Sequence, residues 1–493
     1  MYLKTALYFF ACLFLASILV SAQPKHEFRG VWVATVDNID WPTKGNYSTE
    51  SQKAEFIRLL DMHQRNGMNA VVVQVRPSTD AFYPSPYEPW SEWLTGKQGR
   101  PPVPFYDPLE FMVTETHKRG MEFHAWCNPY RAEFQIGKSS IAPTHITRIH
   151  PDWFLSYGDK RYFDPGNPEG RNFVVNVIRD IVRRYDVDAI HFDDYFYPYR
   201  IAGKAFPDDS SFNKYGNGLN REDWRRSNTD SIILALSKAI REEKPYCRFG
   251  ISPFGVWRNN SKDSVGSATK AGQTNYDDLY ADIVLWLKQG WIDYVAPQLY
   301  WEFGHSAAPY EVLIDWWSKH SYGKQCYIGL GIYRAGSNAA WRDRNQLPRM
   351  IDAIRTTPGI DGAIYFSSKT FDKNPNGWND SLRNHYYRYP AIIPPMAWID
   401  SVAPAAPQLQ WQEGMKNTVS IVNQERQKKV KSFIVYSASG ALDLLPANIL
   451  KIVTAADTVQ VVIPSNGNPL KQLAVTSLDF QNNESAPAFL PVR

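Results

Sequence analysis

The chain has 493 residues, 44% hydrophobic and 21% charged, with 54 basic against 50 acidic side chains. That length points to two domains, the composition excludes a disordered, collagen-like or fibrous chain, and the near balance of charge gives no sign of a nucleic-acid-binding protein. Aromatic residues make up 14% of the chain, a share that suits stacking on flat sugar rings or a large core.

Residues 1–22 carry one charged side chain, Lys4, then an apolar run from Ala6 to Val20, then the small pair Ser21 and Ala22. A short basic start, an apolar core and small residues at the end read as a secretory signal cut after Ala22, so export to the periplasm or cell envelope is expected. Lipid attachment at Cys12 is the alternative, although the apolar run continues past it. No later stretch reaches the roughly 18 apolar residues of a membrane span, so no integral span is expected after signal removal. Three further cysteines, Cys127, Cys247 and Cys326, are far apart in sequence. They form neither a disulfide framework nor a zinc pattern and read as small buried apolar residues.

Short apolar strands are predicted over 28–36, 70–76, 121–128, 189–195, 248–256, 294–301, 326–333 and 362–367. Helical spacing occupies 51–66, 108–119, 172–185, 221–243, 277–289, 309–320 and 341–356 between them. Strand–helix alternation of this kind implies parallel strands joined by right-handed crossovers. Eight such strands fit a closed (β/α)8 barrel, α/β in class, over residues 23–394. A doubly wound open sheet is the rival, but no GxGxxG or GxxxxGK[ST] string follows any of these strands. The strand-to-helix connections 77–107, 129–170, 197–220 and 257–275 are long and rich in Tyr, Trp, Pro and Asn. In barrels of this kind such loops build the active-site face. Beyond a Pro-rich linker at 395–407, short alternating runs over 408–493 suggest a small antiparallel β-sandwich.

The strand ends carry the candidate chemistry. Along a strand alternate side chains share a face, which groups His191, Asp193 and Tyr195 and, on the sixth strand, Gln298, Tyr300 and Glu302. Asp193 and Asp194 are adjacent, and two neighbouring carboxylates repel, which raises one pKa as a general acid requires. Capping of the next loop is the bland role for either. Glu302 is the candidate for a second carboxylate across the pocket, or else an exposed loop acid. Arg76, Trp126 and Asn128 join His191, Tyr195, Gln298 and Tyr300 as candidate substrate-binding groups. Trp301 could stack on a sugar ring, as could Trp90, Trp93, Trp257 and Trp378. Gln74, His124, Ser252 and Tyr365 also lie at strand ends. No HExxH, clustered Cys/His or GxSxG string occurs, so neither a metal site nor a serine nucleophile is expected. No cofactor is expected, and the residues set no oligomeric state.

Six strings carry a family resemblance: FRGVWVATVDNIDWP at 28–42, VVQVRP at 72–77, WCNPY at 126–130, IHFDDYFYP at 190–198, GISPFG at 250–255 and VAPQLYW at 295–301. The chain resembles the glycosyl hydrolase-like ten family over about residues 27–392. The resemblance implies an exported (β/α)8 protein that cleaves peptidoglycan glycan strands lacking stem peptides, with its fourth-strand acids at Asp193 and Asp194. The tail is similar in strand pattern to fibronectin type III domains. The expected activity is hydrolysis of an N-acetylhexosamine-containing polysaccharide by carboxylate acid/base catalysis, with Glu302 or the substrate's own acetamido group completing the mechanism. The rivals are a noncatalytic carbohydrate-binding barrel and a metal-dependent deacetylase.

Overall fold

The computed structural model describes residues 23–427, 429–438, 443–463 and 472–491, and the leader expected over 1–22 lies outside them. Eight parallel strands close into a barrel: β1 (Phe28–Val33), β2 (Ala70–Arg76), β3 (Glu122–Cys127), β4 (Ala189–Phe192), β5 (Arg248–Ile251), β6 (Tyr294–Val295), β7 (Gln325–Leu330) and β8 (Gly362–Tyr365). Each pairs with its neighbours in sequence, and β8 closes on β1. The main helices between them are α1 (Thr49–Arg65), α2 (Pro108–His117), α3 (Pro168–Arg184), α4 (Arg221–Glu243), α5 (Ile283–Lys288), α6 (Tyr310–Lys319) and α7 (Gln346–Thr356). Local chemistry sets their starts. Asp107 and Asn167 each accept two backbone N–H bonds as N-caps, with Pro108 and Pro168 at the first helical position.

Several strands end earlier than their apolar runs predict. β5 stops before Pro253 and β6 before Pro297, because proline has no N–H to give the ladder. Isolated bridges, Phe254 to Gln298 and Gln298 to Gly329, carry the pairing beyond them. β1 gives way to a turn in which Asp37 and Asn38 adopt φ of 51° and 53°, and this turn opens the first loop.

The barrel interior is a polar column wrapped in aromatic rings. The Trp32 indole donates to His191 Nε2 at 3.1 Å, His191 Nδ1 meets the Tyr294 hydroxyl at 2.8 Å, and that hydroxyl meets His124 Nδ1 at 2.9 Å. Because Trp32 is a donor only, His191 must carry its proton on Nδ1. The Tyr294 hydroxyl accepts it and donates to His124, whose Nε2 faces Glu122 at 3.1 Å. Burial holds both imidazoles neutral, pushing His124 down to about 3. Gly250 makes the column possible, since a Cβ there would sit 2.0 Å from the Tyr294 ring.

Among the described residues seven antiparallel strands follow the barrel: β9 (Gln408–Trp411), β10 (Thr418–Val422), β11 (Val430–Ala438), β12 (Ile449–Thr454), β13 (Thr458–Val462), β14 (Gln472–Asp479) and β15 (Ala488–Pro491). They form two sheets, β9-β10-β13 and β12-β11-β14-β15. β15 is the one strand of the seven that the sequence pattern does not predict. Alternation along β11 serves two interfaces: Phe433 and Val435 enter the core between the sheets, while Ile434 and Tyr436 pack with Ile392 at the end of the barrel region. A register shift between Val430 and Ser432 takes Lys431 out of the ladder, and bulges re-aim side chains in this way. Lys431 bonds Glu122 at the start of β3 and lies 2.9 Å from Asp188. Asp188 also pairs with His117 at 2.8 Å, and Glu122 with Arg248.

Removing one member of a buried charge network strands the others. Lys431→Ala is therefore expected to lower stability by about 3–5 kcal/mol, read as an earlier midpoint in urea unfolding. An unchanged midpoint would show that the tail does not support the barrel floor.

Candidate active site

The C-terminal ends of the strands surround a cavity of about 330 Å³. Trp32 and Phe366 come from the ends of β1 and β8, Trp126 from β3, and Phe134 from the following loop. Tyr195, Tyr199 and Tyr300 complete an aromatic wall from the segments after β4 and β6. Flat apolar rings with a few polar groups between them suit a sugar, whose faces are C–H surfaces and whose rim is hydroxylated.

Asp193 and Asp194 both line this cavity, and both are almost fully buried. Their surroundings differ. Asp193 is held by donors: the Trp126 indole reaches Oδ2 at 3.1 Å, and the Asn128 amide reaches both oxygens at 3.1 Å. The Tyr195 backbone N–H adds a bond to Oδ1 at 3.3 Å. Burial raises the Asp193 carboxyl above its ordinary range, opposed by the Arg131 charge and these donors. Asp194 has fewer donors, the Tyr199 hydroxyl and the Gln298 amide. Burial first, and then the charge on Asp193, push Asp194 up to about 7. The pair is thus split, with donors and a cation favouring charge on Asp193 and a proton retained on Asp194 near neutrality.

Of the other sequence-predicted residues, Trp126, Tyr195, Gln298 and Tyr300 reach the cavity wall. The Tyr195 and Tyr300 hydroxyls have no hydrogen-bond partner among the described residues, while Gln298 is tied by its amide to the Ser252 carbonyl at 3.0 Å. Asn128 stands behind the wall and acts on Asp193. Three residues predicted to bind substrate lie elsewhere. His191 is fully buried beneath the floor, in the interior column. Arg76 is fully buried, its guanidinium bonded to Glu88 and to the Asn128 carbonyl. Trp301 packs edge-on to Phe254 at 5.4 Å, outside the cavity lining.

Glu302 is also not brought to the pair. Its two oxygens are taken by the Asn338 amide and the Trp341 indole, each at 3.0 Å, so it anchors the loop after β7. Burial works to raise its carboxyl, but its own backbone N–H and these donors outweigh it and hold the group low. Tyr365 is fully buried against Tyr387, His124 belongs to the column, and Trp93, Trp257 and Trp378 are packed away from the cavity. Among the described residues no three of His, Cys, Asp and Glu converge as metal ligands.

Arg131, Tyr199 and Phe134 are site residues that the barrel's periodicity misses, because Arg131 opens a short strand outside the barrel, Arg131–Glu133, and the other two lie on loops. Their signal is proximity in sequence: Arg131 follows the string WCNPY directly, and Tyr199 follows IHFDDYFYP.

The sequence profile of a family described as "Glycosyl hydrolase-like 10" matches residues 27–346. Glycosyl hydrolase YngK of Bacillus subtilis (strain 168) is 44% identical over 478 residues, covering 95% of this chain and 93% of that protein. Glycosyl hydrolase DigH of Escherichia coli (strain K12) is 39% identical over 377 residues, covering 71% of this chain and 85% of that protein. Among solved structures, the glycoside hydrolase domain of PgaB (BpsB) from Bordetella bronchiseptica is similar with a TM-score of 0.44 and 14% identity, over 73% of this chain and 99% of that one.

The Tyr199 bond favours the ionised form of Asp194, so Tyr199→Phe should raise that carboxyl further, by about one pH unit. A carboxyl-carbon NMR titration measures this. A midpoint that stays near 7 would show that Tyr199 does not donate to Asp194 in solution.

Proposed function

The chain belongs to the glycosyl hydrolase-like 10 family and is a glycosidase-type enzyme, and from that premise we propose that it cleaves N-acetylhexosamine-containing glycan, peptide-free peptidoglycan strands in particular. The observation that carries the mechanism is the split pair, an Asp194 that keeps its proton to about pH 7 beside an Asp193 surrounded by donors. Asp194 is the general acid. It gives its proton to the glycosidic oxygen as the bond from that oxygen to the anomeric carbon breaks, and the bonding electrons leave with the oxygen.

The group that attacks the anomeric carbon is the substrate's acetamido oxygen. Among described residues the cavity is lined by three acids, and the third, Asp37, sits on the rim with Lys44 at 3.2 Å and its side chain 54% exposed. Asp193 comes from the same strand end as Asp194, so in this lining no buried acid from another strand end stands ready as the second carboxylate of a two-acid retaining pair. Asp193 has three donor groups, Trp126, Asn128 and the Tyr195 backbone, and a carboxylate has about four lone-pair sites, so Asp193 keeps capacity to accept the acetamido N–H and sharpen its oxygen as a nucleophile. The free Tyr300 hydroxyl orients that oxygen. Water then attacks the anomeric carbon, gives a proton to the Asp194 carboxylate and reopens the cyclised acetamido group, which restores the acid. The expected leader over 1–22 supports export to the cell envelope, where such a polymer would be met.

Mass spectrometry of products from peptide-free strands tests this. Wild type should yield shorter glycans, and Asp194→Asn and Asp193→Asn should each lower the rate by about a hundredfold or more. Because Asp194 must be protonated, kcat/KM should fall as pH rises through about 7. Full activity in Asp194→Asn would remove it as the acid, and binding without cleavage by wild type would favour the scaffold rival.

A further inference from the structure

Arg131 is an unusual part of the cavity wall. It is 5% exposed, and a buried guanidinium normally has a carboxylate partner. None lies within ion-pair distance among the described residues, although five other arginines with side chains buried to 90% or more, Arg29, Arg76, Arg225, Arg248 and Arg355, are each paired. Nε of Arg131 is buried with no partner among the described residues. The one hydrogen bond its guanidinium makes is long, Nη1 to the Pro77 carbonyl at 3.4 Å. What holds the group is a pair of rings, Tyr195 at 4.7 Å and Phe134 at 5.7 Å, both of which line the cavity with it. Stacking fixes the plane of a guanidinium and leaves its N–H edge free. Asp193 is within its electrostatic reach but makes no ion pair with it.

We propose that Arg131 is the receptor for a carboxylate on the substrate, and that it makes the pocket select an acidic hexosamine over a neutral one. This rests on the glycan reading above and narrows it. A guanidinium pre-oriented by aromatic rings meets a carboxylate through two parallel N–H bonds, and the substrate then supplies the anion that the protein withholds. In peptide-free peptidoglycan strands the lactyl carboxylate on alternate sugars is free. A stem peptide would convert it to an amide and remove the charge. Selection for a free carboxylate is therefore selection for strands without peptides, made by one residue.

The experiment compares peptide-free strands with the same strands after methyl esterification of the lactyl carboxylates. Wild type should favour the acid in kcat/KM by about tenfold or more. In Arg131→Gln that ratio should fall to about one, and Arg131→Lys, which keeps the charge and loses the fork, should fall between. A wild-type ratio near one overturns the proposal. So does a ratio that Arg131→Gln leaves unchanged while turnover drops on both substrates, since Arg131 would then act through Asp193. Calorimetry with the acid and ester forms of a muramic-acid disaccharide separates the two ideas if no strand is cleaved. Tighter binding of the acid that Arg131→Gln abolishes would support the receptor and refute hydrolysis, whereas equal binding would refute the receptor.

Discussion

Two carboxyls on consecutive residues can be buried together only if their charges are managed, because each ion loses its water and repels the other. At Asp193 and Asp194 the protein divides them. Indole, amide and backbone donors converge on Asp193, and Arg131 adds a positive charge nearby. Asp194 receives the Tyr199 hydroxyl and the Gln298 amide but no cation, and burial and the Asp193 charge keep its proton on to about 7. Much of the cavity follows from that division. Trp126 and Asn128 hold Asp193, Tyr199 holds Asp194, and the rings that exclude water from the pair also offer flat surfaces to a sugar.

The pair needs a floor that does not move, and the interior column supplies it. Trp32 and Ser252 line the cavity and both touch His191, each at 3.1 Å, so the lower wall of the site is the top of the hydrogen-bonded column. Tyr294 and His124 carry the column down to Glu122, where Arg248 and the tail's Lys431 complete it. Neutral imidazoles, fixed tautomers and fully paired charges are what a buried polar network requires to rigidify a core. The tail is thus part of the same structure as the site, joined to it at the opposite end of the barrel.

Barrel architecture was legible because eight apolar runs and long connections on one side leave few other topologies. The acid pair was legible because alternation places Asp193 on the inward face of β4. Alternation reports inward or outward, not depth, and this is why His191 was expected at the pocket. In the register it lies level with Trp126 and Gly250, one layer under Asp193. Glu302 went astray for a different reason: β6 is two residues long and Pro297 interrupts it, so a period of two does not extend to position 302. Arg76 was placed by strand position alone, without sight of Glu88 in the next loop, which neutralises it. Arg131, on a short strand outside the barrel, and Tyr199, on a loop, fall outside the barrel's period, and only the folded chain brings them to the acids.

The step on which the mechanism turns is attack by the substrate's own acetamido group. Proton NMR of the anomer first released from a glycan of defined linkage tests it most directly. Two displacements at the anomeric carbon, the acetamido oxygen and then water, should release the product with its starting configuration retained. Inverted product appearing first would mean that water attacks directly. That result would contradict acetamido attack, and with it the roles of Asp193 and Tyr300 in preparing that group.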